Sequence, residues 1–150
     1  MNKFLLFIMC CFLLSACTNK NTYTCFRSFK NAEWDKDSIP HFEINISDTI
    51  NPHQIFVETR NNNLYPYQNI WLFIEIKTPS GNIRKDTLSF DLADNFGKWY
   101  GKGINIHRLV VPYEKSIIFR QQGNYTFSIR HGMRDDVLKG ISEVGIKLTK

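Results

Sequence analysis

Helical periodicity is missing from this chain. Beyond Phe4 to Leu14 there is no long apolar run, which leaves no material for a helical bundle and none for a bilayer-spanning helix. Histidine is sparse: His41, His53, His107 and His131 lie far apart, and none sits in a HExxH or HxH context that would mark a local metal site. There is no GxSxG and no GxxxxGK[ST], so neither a nucleophile elbow nor a phosphate loop is present. Lysine and arginine are scattered rather than clustered, which argues against nucleic acid as a partner. Cysteine is limited to four residues, two of which, Cys10 and Cys11, fall inside the N-terminal apolar run.

That run is the first positive feature. Lys3 supplies a short positive n-region, Phe4 to Leu14 an apolar h-region, and Leu14-Ser15-Ala16-Cys17 reads as a lipobox, in which small residues precede the thiol that accepts diacylglycerol. The expectation is removal of residues 1–16 and acylation of Cys17. Two or three palmitate-type chains, each buried CH₂ contributing about 0.8 kcal/mol, would then hold the protein on a membrane essentially permanently. Processing removes Lys3 as the only charged side chain, so the formal charge of +5 falls by one. With Cys17 acylated, Cys25 has no partner within the mature chain, which excludes an internal disulfide. No acidic or histidine-rich cluster surrounds Cys25, so it reads as neither a metal ligand nor an activated nucleophile.

The processed chain is long enough for one domain that buries about two-thirds of its unfolded surface. Residues 17–40 show neither helical nor strand periodicity and read as a lipidated tether, within which Trp34-Asp35-Lys36-Asp37 is placed to dock back. From His41 the pattern changes to alternation. Phe42, Ile44 and Ile46 alternate with Glu43, Asn45 and Ser47; Tyr125, Phe127 and Ile129 and then Val144, Ile146 and Leu148 repeat the motif. Ile55 to Arg60 reads as a short strand. Ile70 to Lys77 is the most apolar, with Ile70, Leu72, Ile74 and Ile76 on one face and Trp71 and Phe73 at the covered end of the other. Pro79-Ser80-Gly81-Asn82 predicts a turn leading to a strand over Ile83 to Phe90, and Asp135 to Leu138 a brief helical turn. Seven or eight short strands over 41–150 predict an all-β, antiparallel two-sheet sandwich, immunoglobulin-like or jelly-roll-like.

Chemistry-bearing residues have no focus. The pairs Asp35/Asp37, Asp91/Asp94 and Asp135/Asp136 contain the groups a glycosidase needs, but they read better as solvated loop charges. No catalytic residue, metal site or cofactor is expected. Two aromatic stretches are candidates for contact. In Gly97-Lys98-Trp99-Tyr100-Gly101-Lys102-Gly103 the glycines permit a bend or bulge while Trp99 and Tyr100 present flat surfaces or pack at an edge. In Leu64-Tyr65-Pro66-Tyr67 the tyrosines suit stacking on a sugar or a protein, or folding onto the sandwich, with a fixed, cis-prone turn at Tyr65-Pro66. The partner-binding candidates are therefore Tyr65, Tyr67, Trp99 and Tyr100.

Read together, the lipobox at Cys17, Trp34-Asp35-Lys36-Asp37, Arg60-Asn61-Asn62-Asn63, Tyr65-Pro66-Tyr67 with Asn69, Asp86-Thr87-Leu88, Asp91-Leu92-Ala93-Asp94, Gly97-Lys98-Trp99, Gly101-Lys102-Gly103, Gly123 with Tyr125, Gly132-Met133-Arg134 and Val144-Gly145 resemble the gliding motility-associated GldH lipoproteins over nearly the whole chain. The resemblance implies a non-enzymatic envelope lipoprotein of the Bacteroidota type. Its implied partners are the membrane, through the anchor, and envelope proteins of the gliding and secretion machinery. A periplasmic glycan or cell-wall binding module using the same rings is the alternative. Thr18 to Thr22 carry no acidic cluster after Cys17, which in such bacteria points to a periplasm-facing domain.

Overall fold

The computed structural model describes residues 22–150. The signal peptide, Cys17 and the beginning of the tether lie outside these described residues. Ten strands follow in order: β1 (Tyr23–Ser28), β2 (Glu33–Asp35), β3 (His41–Ile46), β4 (His53–Asn62), β5 (Asn69–Lys77), β6 (Ile83–Asp91), β7 (Ile106–Ile117), β8 (Gly123–His131), β9 (Val137–Lys139) and β10 (Ile141–Thr149). All pairings are antiparallel. One four-stranded sheet has the order β1-β10-β4-β7, the other β3-β8-β5-β6, and β2 pairs with β9 in a small ribbon.

Alternation drives the packing as expected. In β3, Phe42, Ile44 and Ile46 are buried while His41, Glu43 and Asn45 face water. The aliphatic face of β5 and the Tyr125, Phe127 and Ile129 face of β8 join them, opposed by Ile55, Val57, Val144, Ile146 and Leu148 of the other sheet. Each fully buried side chain of this size contributes about 1.5–3 kcal/mol. The Thr78–Asn82 turn forms, closed by the Thr78 N–H donating to Asn82 O at 2.8 Å.

Several expectations are corrected. From Tyr23 onward the presumed tether belongs to the domain: β1 is an edge strand running Tyr23↔Leu148 to Ser28↔Glu143. A one-turn 3-10 helix, Lys30–Ala32, then leads into β2. Trp34 is fully buried, stacked on Phe29 at 4.8 Å and edge-on to His131, with Nε1–H donating to Ser38 O at 2.8 Å. Asp135 to Leu138 is not helical; it enters β9, which pairs with β2. The strand count is ten because β7 and the short ribbon strands show no clean alternation. Trp71 and Phe73 are exposed, at 45% and 42%, because only the inner face of their sheet is covered by the second sheet. No peptide bond among the described residues is cis, so Tyr65-Pro66 is trans.

The outer face of the first sheet holds an unexpected charge. Glu58 is fully buried there and is gripped at both oxygens by the Arg108 guanidinium, with Arg108 Nη2 at 2.7 Å and Arg60 Nε at 3.7 Å. The ion pair raises the Arg108 pKa further. Gly145, paired with both Glu58 and Phe26, makes the cover possible: a Cβ there would come within 2.5 Å of the Phe26 ring. At the opposite edge, β7 is interrupted where its register against β4 shifts between Ile55 and Phe56, near Pro112.

Strand directions give the sandwich two distinct ends. The chain enters at Thr22 beside Asp48 and Lys150, at the end that also carries loops 47–52, 78–82 and 118–122. Loops 36–40, 63–68, 92–105 and 132–136 lie at the far end.

Candidate contact surface at the far loops

The two aromatic stretches singled out in the sequence meet at the far end. Tyr65 and Tyr67 pack edge to face at 5.9 Å, and Trp99 lies 6.4 Å from Tyr65. Their rings and the loop backbone line a hollow of about 320 Å³, closed by Gln68, Asp94 and Asn95.

Loop 63–68 is pinned rather than free. Tyr65 is only 4% exposed and its hydroxyl donates to Asn69 O at 2.7 Å; burial pushes its pKa above the usual tyrosine value. The β9–β10 link passes directly beneath it. Gly140, at φ 86°, has Tyr65 N where a Cβ would sit, 2.2 Å away, so only glycine fits this crossing. The Tyr67 hydroxyl donates to Asp135 Oδ2 at 2.8 Å, and that bond raises its pKa.

The Gly97–Gly103 stretch is an ordered excursion rather than a strand. The Asp94 carboxylate accepts the N–H groups of Phe96 and Lys98, both at 2.9 Å, and isolated bridges join Ala93 to Trp99 and Lys102 to Arg108. The Trp99 indole stacks on His107 at 5.5 Å, and both rings are held by one atom: Asn63 Oδ1 lies 3.0 Å from Trp99 Nε1 and 2.9 Å from His107 Nε2. Tyr100 alone of the four candidates is exposed, at 57%.

Around this fixed base stand side chains that the sequence reading did not single out as contacts. Phe96 is 97% exposed at the turn tip, and Leu64 and Ile104 are also exposed. Their signal was an apolar residue inside an Asn- and Gly-rich loop. A second hollow, of about 480 Å³, runs from Tyr67 past Asn69 and Met133 to Trp71, so the loop surface continues onto the outer sheet face where Arg130 lies over the Phe73 ring at 5.4 Å.

The carboxylates here have structural partners. The Asp35 side chain accepts from the Asp37 N–H at 2.8 Å, Asp94 holds its own turn, Asp135 takes the Tyr67 hydroxyl, and Asp136 pairs with Lys36 at 2.9 Å. Among the described residues no group of three His, Cys, Asp or Glu side chains lies close enough to hold a metal ion.

Fold and surface together define a compact antiparallel β-sandwich whose distinguishing feature is a loop-built aromatic face at one end. The chain belongs to the GldH lipoprotein family, whose model matches residues 21–148. It is 35% identical to the gliding motility lipoprotein GldH homolog of Christiangramia forsetii, over 97% of this chain and 93% of that protein. With the gliding motility lipoprotein GldH of Flavobacterium johnsoniae it shares 30% identity, over 94% and 92% of the two chains. Among solved structures, the VP2 subviral particle of infectious bursal disease virus aligns with 88% of this chain and 33% of that one, at 14% identity and a TM-score of 0.41.

Proposed function

We propose that this protein is a non-enzymatic component of the cell envelope, anchored through acylated Cys17 and facing the periplasm, that supports gliding motility or its associated secretion machinery by binding other envelope proteins through the far loops. The observation that carries this reading is the exposed apolar set Leu64, Phe96, Tyr100 and Ile104, standing on a base immobilised by Tyr65, Asn63 and His107. A rigid aromatic surface loses little conformational entropy on docking, which favours protein recognition. The names of the two relatives support the link to motility.

Protein contact fits the geometry better than glycan stacking at these residues. Tyr65 is buried and Trp99 is stacked on His107, so among the four candidates only the Tyr100 ring is well exposed. Photocrosslinking in living cells from positions 67, 96 and 100 tests the reading. Adducts to envelope proteins are expected from all three, with few from position 43 on the β3 face. Absence of adducts, in cells whose motility and secretion are unchanged by deletion, would remove it. Protease treatment of intact cells checks the orientation: digestion without lysis would place the domain outside.

A further inference from the structure

We infer that the entry end of the sandwich is a lipid-facing surface that rests on anionic phospholipid headgroups and holds the aromatic far loops away from the membrane. The inference rests on reading Cys17 as the acylated residue. Four residues separate Cys17 from Thr22, the first described position, so this link spans at most roughly 18 Å even when fully extended. Strands of nine or ten residues make the sandwich roughly 30 Å long, at about 3.3 Å per residue. An inverted domain would need Thr22 to stand that far from the bilayer, beyond the reach of the link. Inversion is therefore excluded, and the far loops cannot lie flush on the membrane that holds the anchor.

Charge and apolar surface at the entry end suit contact with an anionic headgroup layer. In the entry-end loops the only acidic side chain is Asp48, which is neutralised by Lys150 at 2.7 Å. Lys77, Lys115 and Arg120 at the same end are exposed and have no ion-pair partner among the described residues. In the far loops Asp37, Asp94, Asp135 and Asp136 are balanced by Lys36, Lys98, Lys102 and Arg134, and Asp136 is paired with Lys36, so that end is formally neutral. An anionic surface therefore attracts the entry end and has no net attraction for the far one, within the Debye length over which such forces act. Ile50 is 82% exposed at a turn tip that Asp48 fixes, its Oδ1 accepting the Ile50 and Asn51 N–H groups at 3.0 Å each. Ile118 is exposed on a loop at the same end. Both side chains protrude from ordered backbone, where they can enter the headgroup layer without a folding cost.

The test uses the full acylated protein, carrying Cys25→Ser and one of Ile50→Cys, Ile118→Cys, Phe96→Cys or Tyr100→Cys, labelled with a fluorophore. Each is reconstituted into vesicles of phosphatidylethanolamine and phosphatidylglycerol in a three-to-one ratio, doped with headgroup-region nitroxide lipid. Quenching at positions 50 and 118 is expected to exceed that at 96 and 100 at least twofold, and to fall when Lys77, Lys115 and Arg120 are all changed to Glu. Equal quenching at the two ends overturns the inference, as does protection of 50 and 118 from water without lipid quenching, which would mean that another protein covers them. Intact-mass analysis separates the two levels. Cys17 acylated with equal quenching defeats only the orientation, whereas unacylated Cys17 in the membrane fraction defeats both the anchor and the orientation.

Discussion

Trp34→Ala is the sharpest probe of whether the segment before His41 belongs to the fold. Trp34 is fully buried, its ring stacks on Phe29, its edge meets His131, and its Nε1–H donates to Ser38 O at 2.8 Å. Truncating a buried aromatic of this size costs about 3–5 kcal/mol, through lost transfer energy and the cavity left behind. Domains have about 5–15 kcal/mol in total, so at least about a fifth of the stability is at stake. For a domain of this size each kcal/mol moves the melting temperature by about 4 °C, which puts the expected loss at about 12–20 °C. Trp34→Phe keeps the stacking and removes the Ser38 hydrogen bond, so the expected cost is nearer 1–2 kcal/mol. Urea unfolding of the soluble Cys17→Ala form, followed by far-ultraviolet circular dichroism, reads both changes. Fluorescence would mix in Trp71 and Trp99. A dispensable surface segment would tolerate Trp34→Ala within about 0.5 kcal/mol. A measured cost below about 1 kcal/mol would therefore refute the placement of residues 23–40 inside the cooperative unit.

Two further outcomes follow from buried polar groups. Arg108→Ala leaves the Glu58 carboxylate buried with Arg60 as its remaining partner, and because Arg108 is half-exposed the expected cost is about 2–3 kcal/mol, at or below the low end for buried pairs. Adding Glu58→Gln should recover part of it, and a double-mutant cycle in urea that found no coupling would contradict the ion-pair description. His131 donates Nε2–H to Trp34 O at 3.1 Å and has no partner at its buried Nδ1, and burial holds its pKa below the ordinary histidine value. A depressed pKa means that the unfolded chain binds the proton first, so this contribution is complete above about pH 6.5 and is lost as pH falls through the folded value. Urea midpoints between pH 5 and 8 should decline on the acid side, and His131→Gln should flatten that decline; an unchanged slope would count against it.

The parts of the fold that were legible in the sequence are those where one face is dry and the other wet. β3, β5, β8 and β10 satisfy that condition, and their inward sets, from Phe42 to Leu148, are the observed core. β7 does not, because it lies at an edge. Leu109 and Val111 are half-buried against the other sheet while Val110 faces outward, so three apolar residues in a row conceal the period of two. β1 is concealed by the same physics: Tyr23, Cys25 and Phe26 are all half-buried, and Phe26 lies on the outer face over Gly145. β2 is three residues long, too short for any period, and only its tryptophan hinted at burial. At the candidate site the residue types were readable and their meeting was not. Nothing local to Asn63 announces that its side-chain oxygen will join Trp99 to His107, because all three partners come from different loops or strands.

The interruption in β7 has a bearing on life at a surface. Copies anchored by lipid are confined to a plane, where encounters between identical domains in the same orientation are frequent. An edge strand of twelve residues, covered only by the Lys102 bridge at Arg108, would in such a layer be a template for strand-to-strand growth into a ribbon. The register shift near Pro112 breaks that template, and the charged Arg108, Glu114 and Lys115 spaced along the strand make a second copy a poor fit. On a protein anchored and docked as proposed, this irregular edge would hinder ribbon growth through β7 and leave each far surface to meet its partner singly.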